Sequence, residues 1–180
     1  YSNLFFNDEK WLDALLQYQR ILWLNKRNID AQLGAALCLY HLDEFVDTIT
    51  ALKRALTIDP YNHLSYYYLG LSLMSLEDFQ GAIPNLTQSL LLDPDNSDIY
   101  YSLGKSYFET GRIIQAREAF NRTIQIQSQH GSAYYYLGLI NENIMEIDKA
   151  VSAYTKSCEY SSDIEDSYYR LGMLLYRTGE

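Results

Sequence analysis

The residue types that most often catalyse reactions or bind metals are scattered in this 180-residue sequence. His41, His63 and His130 are far apart along the chain and have no partner histidine or cysteine at ligand spacing. Cys38 and Cys158 are too few for a disulfide framework or a thiolate zinc site, and we expect both to be buried structural residues. No phosphate-binding glycine loop, HExxH motif or GxSxG motif occurs. The sequence therefore predicts no catalytic residue, no cofactor and no metal site.

Tyrosine is the residue type whose number and spacing indicate a function. The chain has 18 tyrosines against 6 phenylalanines and 2 tryptophans, and many of them are adjacent, as in Tyr66-Tyr67 and Tyr100-Tyr101. A tyrosine offers a large contact area at low entropic cost together with a hydroxyl group, which suits peptide recognition. Tyrosines at a fixed spacing need structural elements that repeat at that spacing.

A 34-residue repeat runs through the chain. Leu-Gly pairs recur at this spacing at 69–70, 103–104, 137–138 and 171–172. Further columns with the same spacing are formed by Tyr66, Tyr100, Tyr134 and Tyr168, by Ala82, Ala116 and Ala150, and by Pro60 and Pro94. Such agreement over more than 100 residues indicates one repeating fold along the whole chain.

Each repeat reads as two helices. In residues 97–130, Tyr100, Leu103, Gly104 and Tyr107 mark one face of a first helix, and Ile113, Ala116, Phe120 and Ile124 mark a second. Thr110-Gly111 separates the two. Gly104 and Ala116 are small enough to let the two helix backbones approach closely. Asp59-Pro60 and Asp93-Pro94 end one unit and start the next, because proline cannot continue a helix.

These residues resemble the tetratricopeptide repeat (TPR) family. Its pattern of an aromatic residue, Leu-Gly, Tyr, Ala and Phe is present as Tyr100, Leu103, Gly104, Tyr107, Ala116 and Phe120. The resemblance covers four full repeats (29–62, 63–96, 97–130 and 131–164) and two partial ones (1–28, with Ala14 and Tyr18 in the Ala and Phe columns, and 165–180). It implies one all-α domain of about ten helices, a right-handed α-solenoid of antiparallel helix pairs (the TPR superhelix).

Four residues depart from this pattern. Thr48 replaces the small alanine of the first full repeat, and Ser128 and Ser162 replace the terminal proline. Pro84 lies inside a predicted second helix, where it removes one backbone hydrogen bond and is expected to kink or delay the helix.

Adjacent tyrosines on a helix must face different directions. With Tyr66 as the reference, Leu69 and Leu73 share its stripe, so we expect the column Tyr66, Tyr100, Tyr134 and Tyr168 to lie in the core. Tyr67, Leu71 and Met74 form a second stripe at i, i+4 and i+7.

In the TPR family the second stripe lines a concave groove. The resemblance therefore implies a partner-binding groove whose lining, the groove residues, consists of Leu37, Tyr40, Tyr67, Leu71, Met74, Tyr101, Lys105, Phe108, Tyr135, Leu139, Tyr169 and Met173. The alternative is that these tyrosines pack against the first helix of the next repeat.

The groove residues also exclude two TPR subclasses. Lys105 is their only lysine and no asparagine is present, unlike the TPR domains that clamp chaperone carboxylates. The adjacent column has no asparagine ladder of the kind found in O-linked N-acetylglucosamine transferase arrays; it reads Gly34, Tyr68, Ser102, Tyr136 and Arg170.

The chain is acidic, with 14 Lys+Arg against 23 Asp+Glu and a net charge of −9. This balance argues against a nucleic-acid partner, and no apolar run reaches the ~18 residues that would suit membrane insertion. Twelve of the 23 carboxylates, Asp163 among them, fall at predicted turns or first helical turns, where helix dipoles favour them. An acidic patch that selects a basic partner is the alternative reading. We expect a cytoplasmic protein.

Three functions fit these observations. The first is a non-enzymatic adaptor that binds a partner peptide or helix in the tyrosine-lined groove. The second is an assembly module that forms homo-oligomers or a larger complex through its repeat ends, and the third is the regulatory arm of an enzyme. Because the chain begins at Tyr1 and stops at Thr178-Gly179-Glu180, we expect a fragment of a longer protein whose last helix exposes Met173 and Leu174.

Overall fold

The computed structural model describes the backbone of residues 2–161 and 164–178 and the side chains from residue 8 onward in those ranges. Tyr1, Ser162, Asp163, Gly179 and Glu180 lie outside the described residues. Ten α-helices occupy the described ranges: α1 (Ser2–Leu24), α2 (Ile29–His41), α3 (Phe45–Ile58), α4 (His63–Ser75), α5 (Phe79–Leu92), α6 (Ser97–Glu109), α7 (Ile113–Ile126), α8 (Gly131–Asn143), α9 (Ile147–Tyr160) and α10 (Glu165–Thr178). As predicted, the fold is all-α, with helices packed as sequential antiparallel pairs.

The chain divides into two compact units, residues 1–94 and residues 95–180. Unit 1 contains α1 to α5, and unit 2 contains α6 to α10. In each unit every helix packs against the next helix of that unit along the chain.

The helix boundaries repeat every 34 residues because the capping chemistry does. Asn28, Asn62 and Asn96 precede first helices, and their side chains accept hydrogen bonds from the backbone N–H groups of Ala31, Ser65 and Ile99. His130 replaces asparagine ahead of α8, with its Nδ1 accepting from the N–H of Ala133 at 3.2 Å. The turn between the paired helices has a residue with positive φ at Asp43, Glu77, Gly111 and Met145.

Small residues let each pair of helices approach closely. A Cβ added at Gly104 would lie 2.7 Å from the Phe120 ring, and one at Gly138 would lie 2.5 Å from the Tyr154 ring. Gly70 meets Leu86 in the same way. Gly34, which lies outside this column at the repeat position of Tyr68, meets the Tyr18 ring of the preceding helix α1. The predicted packing of the glycine column against the second helices is therefore confirmed.

The tyrosine column that was predicted to be core is not buried. Tyr66, Tyr100 and Tyr134 are half-buried, and Tyr168 is 48% exposed. The reason is that the residue immediately before each tyrosine has a smaller side chain, which fills the interior. Each tyrosine therefore lies at the edge of the interface between the helices. The buried positions are Ala31, Ser65, Ile99, Ala133 and Ser167.

Three further expectations need correction. Leu174 is only 1% exposed because it packs on Ala150 and Tyr154. Cys38 is buried, but Cys158 is half-buried near the end of α9. Of the two effects expected of Pro84, a kink or a delayed helix, the delay does not occur, since α5 begins five residues before it.

Thr48, which replaces the small alanine of the first full repeat, fits between the paired helices. Its side chain is fully buried, and its hydroxyl donates to the carbonyl oxygen of Glu44 at 2.9 Å. The polar group that replaces the alanine methyl is thereby satisfied within its own helix.

Candidate functional site

Unit 1 contributes five groove residues, and all five are half-buried. Leu37 and Tyr40 lie on α2, and Tyr67, Leu71 and Met74 lie on α4.

Tyr40 is held by aromatic neighbours on other elements of unit 1. Its ring meets Tyr68 of α4 edge-on at 5.2 Å and Phe45 of α3 at 5.7 Å. Burial, with the neighbouring Tyr68 hydroxyl, raises the pKa of Tyr40. The Tyr40 hydroxyl therefore stays protonated, and the two aromatic contacts hold the Tyr40 ring in place.

In unit 2, Tyr101 packs inward against the next first helix. Its ring centroid lies 4.6 Å from that of His130, the cap of α8, and 5.9 Å from that of Phe120. Burial raises the pKa of Tyr101, although a hydrogen bond with Ser132 opposes the shift. These contacts are those of the packing alternative, and Tyr101 is half-buried.

Tyr135 belongs to a polar network that joins α8, α9 and α10. Its hydroxyl donates to Asp166 Oδ2 at 2.5 Å, and Asp166 accepts from Arg170 Nε at 2.7 Å. Arg170 also donates to Glu142 at 3.2 Å, and Glu142 accepts from the Tyr154 hydroxyl at 2.8 Å. The network fixes α10 against the two preceding helices.

The charges of this network shift the pKa values of its members. The hydrogen bonds from Tyr135 and Arg170 lower the pKa of Asp166, so its carboxylate stays ionised. Burial, followed by the adjacent Glu142 carboxylate, raises the pKa of Tyr154. Glu142 and Arg170 were not predicted as site residues. Arg170 was nevertheless visible in the sequence as the one charged residue at the repeat position of Tyr68 and Tyr136.

The accessible part of the unit 2 site surrounds a cavity of about 460 Å³. Phe108 and Leu139 line its wall, and Arg170 and Arg177 supply charge. The other lining residues are Ile113, Glu142, Asn143, Met145 and Ile147.

The remaining groove residues of unit 2 differ in exposure. Lys105 on α6 is half-buried. Tyr169 and Met173 on α10 are more open, with Tyr169 67% exposed.

Tyr136 supports the cavity wall and was missed by sequence reasoning. Its ring stacks on Phe120 with centroids 4.9 Å apart and planes inclined by 7°, and it meets Phe108 edge-on at 5.3 Å. The available signal was its repeat position. Like Tyr68, it lies two residues after a tyrosine of the column that was predicted to be core.

The histidines have structural contacts. His41 stacks on Trp11 at 4.1 Å, and His63 Nδ1 lies 3.6 Å from Asp93 Oδ2. Burial lowers the pKa of His130, which favours the neutral ring that caps α8. Within residues 2–161 and 164–178, no group of three His, Cys, Asp or Glu side chains is placed to hold a metal ion. No helix in that part of the chain has the length and apolar character needed to cross a membrane.

Comparisons with known proteins agree with the repeat pattern. Two tetratricopeptide repeat models match residues 2–63 and 73–138, which together exceed half of the chain. A crystal structure of MamA is 27% identical with a TM-score of 0.80, over 86% of this chain and 90% of that one. MamA from Desulfovibrio magneticus RS-1 is 18% identical with a TM-score of 0.78, over 91% and 96% of the two chains. No curated protein sequence matches significantly.

A further similar structure is that of YrrB, described as a TPR protein with an unusual peptide-binding site. It is 21% identical with a TM-score of 0.78, over 93% of this chain and 87% of that one. At this identity the likeness shows the fold alone.

Proposed function

The chain belongs to the tetratricopeptide repeat family, and from this premise we propose that it is a non-enzymatic scaffold whose first helices bind a peptide or helical segment of a partner protein. TPR proteins are generally protein-interaction modules. The peptide-binding site named for YrrB supports the same kind of ligand here.

The observation that carries the proposal is the cavity of unit 2, which has both apolar and charged lining residues, together with exposed aromatic and thioether side chains on the same set of first helices. Phe108 and Leu139 offer a recess for one apolar anchor of the partner, while Tyr169 and Met173 offer accessible contact area. The network around Arg170 holds α8 and α10 in place, so little ordering entropy is lost on binding.

Not all groove residues contribute equally to this proposal. Tyr101 and Tyr135 position their neighbours through His130 and Asp166, so we assign them a supporting role. Contact with the partner falls to Lys105, Phe108, Leu139, Tyr169 and Met173, and in unit 1 to Leu37, Tyr40, Tyr67, Leu71 and Met74.

The double substitution Tyr169→Ala and Met173→Ala is expected to weaken peptide binding about tenfold or more, because both side chains are accessible contact residues. Peptides are first selected against the wild-type protein by phage display, and their affinities are then measured by fluorescence polarisation. Tyr61→Ala removes a similarly exposed tyrosine away from the first-helix faces and should leave affinity unchanged. Equal affinity for the double variant and wild type would overturn the proposed groove.

A second candidate function, assembly, is favoured by Gly172. A Cβ at Gly172 would meet nothing within 4 Å, whereas Gly70, Gly104 and Gly138 are each covered by a side chain of a second helix. This face of α10 is open to a further helix, which a later segment of the same protein or a second copy of the chain would supply.

If assembly occurs through this face, light scattering should show a mass that rises with concentration, and Gly172→Arg should return the protein to the monomer. Arginine at this position would occupy the space where the incoming helix packs. Thr178→Arg, on the exposed end of the same helix, is the control and should leave association unchanged. A constant monomeric mass at high concentration would contradict the assembly function.

A further inference from the structure

A basic cleft of about 930 Å³ lies in unit 1 between α1, α2 and α3. Lys26, Arg27 and Arg54 line it together with Trp23, and none of the described residues in its lining carries a carboxylate. The chain as a whole has 23 acidic residues against 14 basic ones, so the charge of this cleft is opposite to that of the protein. Its lining from α2 includes Gln32 and Leu39, which are not groove residues.

Unit 2 contains a cleft at the same repeat positions, and there a tyrosine occupies part of it. This cleft, between α7, α8 and α9, measures about 650 Å³. Tyr134 contributes its ring, with Lys156 Nζ 5.2 Å from the ring centroid and Tyr160 5.7 Å away between centroids. Glu146 and Asp148 also line this cleft, so its charge is mixed.

The two clefts differ at the positions that hold this ring. Three repeats earlier, Gln32 stands in place of Tyr134 and Arg54 in place of Lys156. The Gln32 side chain is buried, and its amide donates to the carbonyl oxygen of Lys26 at 3.3 Å. The unit 1 cleft thus keeps the cation but lacks the ring, and it is the larger of the two.

We propose that this cleft binds an acidic peptide segment of a partner protein by accepting one of its aromatic side chains. The partner ring takes the place against Arg54 that Tyr134 takes against Lys156, as a cation–π contact. Carboxylates beside that ring pair with Lys26 and Arg27 at the α1–α2 turn. Trp23, which is highly exposed at the rim, supplies an apolar surface for the peptide. The site is separate from the groove, and its proposal does not depend on groove binding.

The direct test introduces a tyrosine into the cleft by substitution, so that its ring occupies the place proposed for the partner's ring. The probe is a fluorescein-labelled peptide with a central tyrosine flanked by four glutamates on each side, titrated into the full chain by fluorescence polarisation. Gln32→Tyr, which restores the residue of the later repeats, should abolish saturable binding, and Arg54→Ala should weaken it about fivefold or more. Lys156→Ala removes the matching cation of unit 2 and should have no effect.

Two control peptides separate the contribution of the aromatic ring to affinity from that of the carboxylates. Replacing the central tyrosine by alanine, or all glutamates by glutamines, should each reduce affinity severalfold. Circular dichroism melts of every variant check that the helices remain folded.

Three results would overturn the proposal. The first is binding of the tyrosine–glutamate peptide that is unchanged in folded Gln32→Tyr. The second is an absence of saturable binding to the wild-type protein. The third is self-association of the protein that Gln32→Tyr abolishes, because the occupant would then be a second copy of the chain.

Discussion

Replacing Phe120 by alanine is expected to lower the free energy of unfolding by about 3–5 kcal/mol, the typical cost of removing a fully buried aromatic side chain. The ring is completely buried, lies directly over Gly104 and stacks on Tyr136. Its loss leaves a cavity between α6 and α7, next to the fully buried Ala116. The wall of the proposed binding cavity would lose its support at the same time, since Tyr136 also contacts Phe108.

Urea unfolding followed by circular dichroism measures this cost. Ile114→Ala is the matched control, because Ile114 lies on the same helix but is 68% exposed, and a change within about 0.5 kcal/mol is expected. A loss below about 1 kcal/mol for Phe120→Ala would mean that the ring does not hold this helix pair together.

Alanine substitutions at two positions of the glycine column should have effects of opposite sign. At Gly138 the new Cβ would lie 2.5 Å from the Tyr154 ring, which is fully buried and hydrogen-bonded to Glu142 and so cannot move aside. Overpacking of this kind costs about 1–3 kcal/mol and should exceed the helix-propensity gain of about 1 kcal/mol. At Gly172 the Cβ meets nothing within 4 Å, so only that gain of about 1 kcal/mol remains.

Thermal melts of Gly138→Ala and Gly172→Ala, recorded at a concentration where the protein is monomeric, test this difference. The melting temperature should fall for the first variant and rise for the second. Stabilisation by both variants would contradict the close approach of α8 and α9.

Much of the fold could be predicted because the repeat makes each position visible several times. The glycine column, the alanine column and the helix breaks were all visible in the repeat, and the close approach of the two helices at Gly104 is present as predicted, with the Phe120 ring over the glycine. The asparagine caps at Asn28, Asn62 and Asn96 follow the same 34-residue spacing and were overlooked, although their capping preference made them readable too.

The depth of each tyrosine could not be predicted from helical phase alone. Tyr134 shares the apolar stripe of its helix, yet it lies at the edge of the interface because Ala133 fills the interior. A helical wheel gives a direction but not the distance to the neighbouring helix, and that distance depends on the small residues of both partners.

The supporting contacts of the candidate site were also beyond the sequence. Tyr135 reaches Asp166 31 residues later, and Arg170 reaches back 28 residues to Glu142. Each of these side chains belongs to a different column, so no periodic signal joins them. The sequence could therefore indicate the groove residues but not which of them are engaged by their own neighbours.

The most direct test of the proposed scaffold function is a ¹⁵N–¹H NMR titration of the chain with a display-selected peptide. Binding along the first helices predicts chemical-shift changes concentrated at the groove residues assigned to partner contact, with little change at Tyr61. These residues are Lys105, Phe108, Leu139, Tyr169 and Met173 in unit 2 and Leu37, Tyr40, Tyr67, Leu71 and Met74 in unit 1. Changes confined to the second helices, or to the turn that carries Tyr61, would contradict the account.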